Sequence, residues 1–533
     1  MSATAEIERA PTGKLRRTAA KLARLSGWRR LAVSALLGGL AALAFAPLYL
    51  VPLLWLAFPC LLWLLEGAKR DGEAFRIAWA FGSGHFLVGT YWVGIAFLVD
   101  AEQYAALMPV AVLAMGIGLG LFPAAAIYLV WRCRLRGAAR ALGLAGAWLA
   151  VEWLRSWVLT GFPWNLMGSV WAFSDSTIQL AALTGVWGLS LITVIAAALP
   201  ATLAERDEGS TLRRWLPSLL GLVLIALVWG GGIMRLADAP AVDQEMVPDT
   251  VLRLVQPNVQ QSLKWSPEWR RKNVIDQMTL SLGGQDADAV THVVWAETAT
   301  PYVLANEPQL RDALSRVVPA DGLLLTGALR RKEGEGKTRL WNSMHALDGA
   351  GEIVGTYDKF HLVPFGEYVP LRWLFGFAKV THGRVDFSAG PGLTTLDLPG
   401  LPPVGVLVCY EVIFPGQVTQ PDQRPAWLLN ITNDGWFGTS SGPYQHLASA
   451  RLRAVEEGLP IVRVANSGIT AVFDAYGREL ARLGLNRSGA IDVPLPQPLP
   501  GLTPYARFGN AIVAVLLVLS AMGVLLLRLK QPL

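Results

Sequence analysis

Three residues of this chain have types and settings that could do covalent chemistry. Cys409 closes the apolar run Gly405-Val-Leu-Val and is followed at once by Tyr410 and Glu411. It is the one cysteine of the polar region, because Cys60 and Cys133 lie in or beside apolar stretches. A lone cysteine is more often a small buried hydrophobe than a nucleophile. A thiol that follows a buried strand, however, can be held rigidly at the mouth of a site. Glu297 ends a second such run, Val293-Val-Trp-Ala, and Lys359 lies in Tyr357-Asp-Lys-Phe-His-Leu-Val-Pro-Phe-Gly-Glu367. A carboxylate can take the thiol's proton, and a lysine can stabilise the oxyanion formed when the thiolate attacks a carbonyl. Glu297 after four apolar residues is costly to bury without a partner, which favours a functional role; the alternative is a surface residue at a strand end. Lys359 is either one more solvated lysine or part of the site, and Phe360, Leu362, Val363, Pro364 and Phe365 behind it favour the second. Glu367 either orients Lys359 or caps its loop.

The elements around these residues read as an α/β domain. From Val251 onward, short apolar runs alternate with Gly/Pro/Asp turns: Val251–Val255, His292–Trp295, Gly322–Thr326, Val404–Cys409 and Trp427–Ile431. Helical patterns fall at Pro267–Leu282, Glu307–Val317 and His446–Glu457. Runs this apolar predict strands buried on both faces. Pro496–Pro504 is a proline-rich connector.

The rest of the chain is of another class. Of its 533 residues, 53% are hydrophobic and 16% charged, well below the roughly 25% charged usual for soluble domains. Apolar stretches of spanning length predict about eight transmembrane helices, near 31–49, 51–66, 77–98, 105–131, 141–158, 178–204, 215–235 and 508–527. Gly38, Gly39, Gly116, Gly118 and Gly120 suit close helix packing in lipid. Glu152, Arg155 and Trp164 lie near the outer end of the fifth stretch, where Glu152 and Arg155 either pair or line a path for lipid. The expected division is a basic segment at 1–30, a seven-helix membrane domain at 31–235, a catalytic domain at 236–500 and a last span with its tail at 501–533. The basic runs fall on one side if every stretch spans: eight Lys/Arg before the first, then Lys69, Arg70 and Arg76, then Arg132, Arg134, Arg136 and Arg140. The positive-inside rule then puts both termini in the cytoplasm and the catalytic domain outside, in the periplasm of a Gram-negative cell.

Other chemistries find little support. The six histidines have no paired-ligand spacing, so no metal is expected. No phosphate-cradling loop appears, and no cofactor is expected. The net charge of +6 is not gathered into an aromatic-interleaved basic patch, so nucleic acid is not an expected partner.

Glu297, Lys359 and Cys409, in that order on three separated motifs, resemble the nitrilase (carbon-nitrogen hydrolase) superfamily. With the apolar helices, the chain is similar to its membrane-bound branch, the apolipoprotein N-acyltransferases. The motifs that carry the likeness are Gln256-Pro-Asn-Val-Gln-Gln-Ser-Leu-Lys-Trp265, Tyr357–Pro370, Val408-Cys-Tyr-Glu-Val-Ile-Phe-Pro415 and Asn433-Asp-Gly-Trp-Phe-Gly438. The resemblance implies a nitrilase-like α-β-β-α sandwich outside the bacterial inner membrane, and a Glu297/Lys359/Cys409 triad. It implies supporting or substrate-binding roles for Glu367, Trp265, Tyr410 and Glu411. It also implies a ping-pong reaction in which a phospholipid, with phosphatidylethanolamine the expected donor, acylates Cys409. The acyl chain then passes to the α-amine of a diacylated apolipoprotein. A monomer is expected. The cluster Leu371, Trp373, Leu374, Phe375 and Phe377, beside Arg372 and Lys379, is either a loop that dips into the membrane interface or an ordinary core segment. The competing readings are a membrane-tethered amidase with the same residues, and a non-catalytic lipid or lipoprotein binder.

Overall fold

A computed structural model describes residues 13–205, 211–242, 244–283, 289–334, 337–370, 373 and 386–529. The first part of the chain is helical and the second is built on two β-sheets. Among the described residues, four helices are long and apolar enough to cross a membrane: Ala101–Arg132, Thr177–Ala204, Arg214–Ala237 and Ala511–Leu529. The helices Asp71–Gly89 and Tyr91–Leu98, bent by 47° at their junction, make a fifth if they form one span. The other expected stretches are helical but do not meet that standard. Gly27–Ala42 has 16 residues, about 24 Å of helix against a hydrocarbon core of about 30 Å. Gly137–Arg155 carries Arg140, Glu152 and Arg155, all buried. Helices approach closely where glycine removes a side chain: a Cβ on Gly38 would come within 1.9 Å of the Phe81 carbonyl oxygen. Gly118, expected to serve the same purpose, faces open space.

The strands are β1 (Met246–Gln256), β2 (His292–Trp295), β3 (Thr300–Val303), β4 (Leu323–Gly334), β5 (Lys337–Leu347), β6 (Ile353–Asp358), β7 (Thr395–Leu396), β8 (Val404–Val408), β9 (Trp427–Asn433), β10 (Ile461–Asn466), β11 (Thr470–Phe473), β12 (Glu479–Leu483) and β13 (Gly489–Pro496). One sheet runs β13-β1-β2-β4-β5-β6, with β3 paired to β4; the other runs β12-β11-β10-β9-β8-β7. The central pairs β1/β2, β2/β4, β8/β9 and β9/β10 are parallel. Parallel pairs bury both faces, which is why these strands are apolar throughout.

The period-2 alternation of side chains sorts each strand into two cores. Val404, Val406 and Val408 of β8 meet Val294, Leu325 and Met344 of the other sheet in the layer between the sheets, whereas Leu407 points outward. Trp295 and Val293 of β2 pack outward beneath the helices Pro267–Leu282 and Pro308–Ser315. The helix Gly442–Glu457 covers the outer face of the second sheet. The result is an α-β-β-α sandwich. Each fully buried Val or Leu contributes about 1.5–3 kcal/mol, so the two strands that end near Glu297 and Cys409 are firmly seated.

The helical part meets the second sheet's helix layer directly. Trp92 and Trp164 both donate their indole N–H to Gln445 Oε1, at 3.0 and 2.7 Å. Glu152 and Arg155 support this junction separately rather than pairing. Glu152 Oε1 accepts from Trp148 Nε1 and the Met167 N–H, and Arg155 donates to the carbonyls of Phe162 and Trp164.

Candidate active site

The three candidate residues follow three strand ends. Cys409 comes directly after β8, Lys359 directly after β6, and Glu297 two residues after β2. Each lies in or near a turn with an L-residue in the left-handed region: Cys409 itself (φ 55°), Thr298 (φ 47°) and Phe365 (φ 62°). Such conformations cost about 1–3 kcal/mol each and persist only where the surroundings over-determine them. At Cys409 the surroundings are visible. Its carbonyl oxygen accepts from His446 Nε2 at 3.1 Å, and Asn430 Nδ2 donates to the Leu407 carbonyl at 3.0 Å. Behind them, Asp434 Oδ1 lies 2.9 Å from His446 Nδ1, and Arg463 Nη2 donates to Asp434 Oδ2 at 2.7 Å. Asp434, His446 and Arg463 are fully buried.

Glu297 and Lys359 belong to a closed polar ring. Asn342 Nδ2, on β5, donates to Glu297 Oε1 at 2.6 Å and to Glu367 Oε1 at 3.0 Å. Lys359 Nζ donates to Glu367 Oε1 at 3.0 Å and lies 3.8 Å from Glu297 Oε1. The Val363 N–H closes on Glu367 Oε2 at 2.8 Å. All four side chains are buried. Of the two roles open to Glu367, the geometry combines both: it holds the lysine and ties its loop.

The charges set the resting protonation. Burial, then the nearby Glu297 carboxylate, push the Cys409 thiol up to about 12, against the pull of Lys359. The thiol therefore rests neutral and needs a base. Burial alone would lower the Lys359 pKa, but Glu367, Glu297, Cys409 and Glu411 together hold it above the ordinary lysine value. Lys359 thus stays an ammonium and cannot be that base.

Glu411 fastens the cysteine turn to the lysine loop. It accepts from the N–H groups of Val408 (2.7 Å), Phe360 (2.9 Å) and His361 (3.1 Å) and from the Tyr357 hydroxyl at 3.1 Å. Burial pushes its pKa up to about 7 against these donors. Tyr410 turns the other way: its hydroxyl donates to the Gly161 carbonyl at 2.7 Å, in a loop of the helical part. His361 Nε2 donates to the neighbouring Thr160 carbonyl at 2.8 Å. Trp265 is half-buried at the end of a turn. Trp373 is 83% exposed. Leu371, Leu374, Phe375 and Phe377 lie outside the described residues.

Sequence reasoning missed two residues in contact with this ring. Lys264 is buried and donates from Nζ to the backbone carbonyl of Glu297 at 2.9 Å. Burial pulls its pKa down to about 8, opposed by Glu297 and Cys409. Its place beside Trp265 in a quoted motif was a usable signal. Asn342 carried none, being one polar residue inside a strand that alternates.

A neutral thiol, a carboxylate within its electrostatic reach and a fixed ammonium suit nucleophilic acyl transfer through a thioester. Comparison with known proteins narrows the chemistry. The family profile described as Apolipoprotein N-acyltransferase N-terminal domain matches residues 37–199, and that described as Carbon-nitrogen hydrolase matches residues 277–504. The apolipoprotein N-acyltransferase of Rhodopseudomonas palustris is 41% identical over 98% of this chain and 99% of its own length. That of Bradyrhizobium diazoefficiens is 40% identical over 96% of this chain and 97% of its own length. Among solved structures, an amidase from Nesterenkonia sp. aligns with 52% of this chain and 98% of its own, at 18% identity and a TM-score of 0.35. By near-full-length identity to these relatives, the chain belongs to the apolipoprotein N-acyltransferase family.

Proposed function

We propose that the chain transfers an acyl group from a membrane phospholipid to lipoproteins through Cys409, with Glu297 as base and Lys359 as oxyanion stabiliser. N-acylation of lipoproteins is the activity of its family. The observation that carries the residue roles is the buried ring in which Lys359 is held charged between Glu297 and Glu367 beside a neutral thiol. In the first half-reaction Glu297 takes the Sγ proton as sulfur attacks the ester carbonyl. Lys359, with a backbone N–H near Tyr410, stabilises the oxyanion. The C–O bond to glycerol breaks, the alkoxide takes the proton back from Glu297, and a lysophospholipid departs. In the second, the α-amine of a diacylglyceryl-cysteine attacks the thioester and gives a proton to Glu297. The C–S bond breaks, and the thiolate recovers that proton. A thioester is reactive toward amines and needs no ATP to form.

Phosphatidylethanolamine is the donor we infer, and the unit is a monomer. The domain limits are 1–30, 31–235, 236–500 and 501–533. About eight helices cross the inner membrane, with both termini in the cytoplasm and the catalytic domain in the periplasm. The one-sided distribution of Lys and Arg supports this orientation. Trp265, Tyr410 and Glu411 support the site. Trp373 meets the membrane interface in this reading, which its exposure supports, and the same role is assigned to Phe375 and Phe377, which lie outside the described residues. Trp373→Ser with Phe375→Ser should then impair transfer from bilayers more than from detergent micelles, and equal losses would exclude the loop's role.

Intact-protein mass spectrometry after mixing with phosphatidylethanolamine tests the chemistry. A fatty-acyl increment that hydroxylamine removes, absent in Cys409→Ser and passed to a diacylated lipopeptide, is the expected result. A folded protein that forms no adduct would overturn the thioester route.

A further inference from the structure

One cavity among the described residues is lined entirely by the helical part, at the end away from Cys409. It has a volume of about 780 Å³, within the roughly 300–1,000 Å³ of ligand pockets. Two 19-residue helices, Asp71–Gly89 and Gly137–Arg155, begin at it and run about 28 Å to the junction with the α/β domain. The cavity therefore opens on the face of the helical domain opposite the catalytic site.

Its lining is unlike that of the active site. Six cations, Lys69, Arg70, Arg132, Arg134, Arg136 and Arg140, stand among three carboxylates, Glu66, Asp71 and Glu205. The carboxylates are engaged. Arg140 is buried and bridges Glu66 Oε1 at 2.9 Å and Glu205 Oε1 at 3.0 Å. Asp71 Oδ1 lies 3.6 Å from Arg132 Nε and accepts from the Tyr128 hydroxyl at 3.2 Å. Lys69, Arg70 and Arg134 are exposed at the rim, so the cavity keeps an excess of positive charge. Its inner wall is apolar, formed by Leu62, Leu65, Ile127 and Val130, with Trp131 and Leu135 half-buried. Cations at a helix-end rim above an apolar wall match a lipid with an anionic headgroup: the phosphate meets Arg and Lys, and the acyl chains lie along the wall. Lys and Arg at a membrane surface attract anionic lipid, and basic pockets between membrane helices hold such headgroups.

We propose that this cavity is a binding site for the phosphodiester headgroup of an anionic glycerophospholipid, separate from the acyl-donor site. A zwitterionic lipid carries an ammonium that these cations repel, so the site selects by charge. Free phosphate shares the recognised group but lacks the chains that the apolar wall accepts.

The test uses the full chain in detergent with photoactivatable phosphatidylglycerol, followed by peptide mapping of the adduct. Labelling is expected on peptides within 62–71 or 127–140, at tenfold lower probe concentration than for a phosphatidylcholine probe of equal chain length. Unlabelled phosphatidylglycerol should displace it, and millimolar glycerol phosphate or inorganic phosphate should not. Arg132→Gln with Arg134→Gln should cut this labelling at least tenfold while leaving labelling near Cys409 unchanged. Equal labelling by the two lipids, adducts confined to other peptides, or displacement by inorganic phosphate as effectively as by the lipid would each overturn the proposal. The mapping and competition arms use the unaltered protein, so a variant that misfolds leaves the proposal open to refutation.

Discussion

Asn342 offers a sharp test of how the site is held together, because its side chain reaches both carboxylates of the ring. Asn342→Leu keeps the branched shape and number of heavy atoms and removes the donor. Two hydrogen bonds to charged acceptors, at 2.6 and 3.0 Å, are lost. At about 1.5–3 kcal/mol each, the local loss is up to about 3–6 kcal/mol. Lys359, still 3.8 Å from Glu297 and 3.0 Å from Glu367, then draws the two carboxylates without a spacer between them. With Glu297 as the proposed base, a shift of its carboxylate by about 1 Å costs on the order of 10²-fold in rate. The assay is single-turnover acylation of Cys409 by phospholipid, read by mass, with thermal unfolding followed in parallel. Cys409 acylation should slow about 100-fold while the protein remains folded. Because Asn342 acts on Glu297 through Glu367 as well as directly, combining Asn342→Leu with Glu367→Gln should be non-additive by about 1.5–3 kcal/mol. A single variant within threefold of the parent rate, or a double variant additive to within about 0.5 kcal/mol, would refute the ring as the device that positions Glu297 for the proposed reaction.

Alkylation of Cys409 by a small neutral reagent, without substrate, should climb about tenfold per pH unit from 7 to 10. A thiol raised to about 12 becomes thiolate only as pH approaches that value, and a plateau below pH 9 would contradict it. Lys264→Met frees the Glu297 carbonyl and should lower kcat about tenfold or more with KM little changed. Its stability effect has a definite sign: a lysine lowered to about 8 is disfavoured while protonated in the fold, so the parent gains on Lys264→Met as pH rises from 8 towards 10.5. A difference in melting temperature that does not vary with pH would refute the burial of that charge. Arg463→Met leaves Asp434 buried without its ion pair and should destabilise the α/β domain by about 3–5 kcal/mol, measured by denaturant unfolding. Against the cost of burial, Arg463 and His446 hold the Asp434 pKa down to about 2. The aspartate's contribution is therefore present above about pH 4 and lost as pH falls towards 2; an unchanged parent stability over that window would contradict it.

The sequence by itself determined what the strongest patterns encode. His292–Trp295 and Pro267–Leu282 were read at their true limits, because a continuous apolar run and a segment opened by Ser266-Pro267 and closed at Gly283 depend on local chemistry. The order of Glu297, Lys359 and Cys409 along the chain and the strand-end settings of Glu297 and Cys409 were legible for the same reason. The strands β5, β6 and β10–β13 were not. Lys337–Leu347 mixes Arg, Asn, Ser and His with apolar residues, and only pairing with β4 and β6 makes it a strand. Apolar content alone does not give the number of spanning helices, because it cannot tell a lipid-facing helix from one buried in a bundle; among the described residues four, or five with the bent pair, have the length and apolarity to cross. Gly137–Arg155 is the example, with charges satisfied by a loop and by neighbouring helices.

What only the tertiary structure decided is which distant residues meet. Asn342 and Lys264 are unremarkable in composition and became part of the site because β5 and the turn after β1 arrive beside Glu297. Arg70, Arg132 and Arg140 read as separate loop charges, and the packing of helix ends gathers them around one cavity. Local sequence sets the form of each element through near-neighbour chemistry. The juxtaposition of side chains hundreds of residues apart is set by the burial of both sheets and of the helix bundle, a property of the whole chain that no short stretch carries.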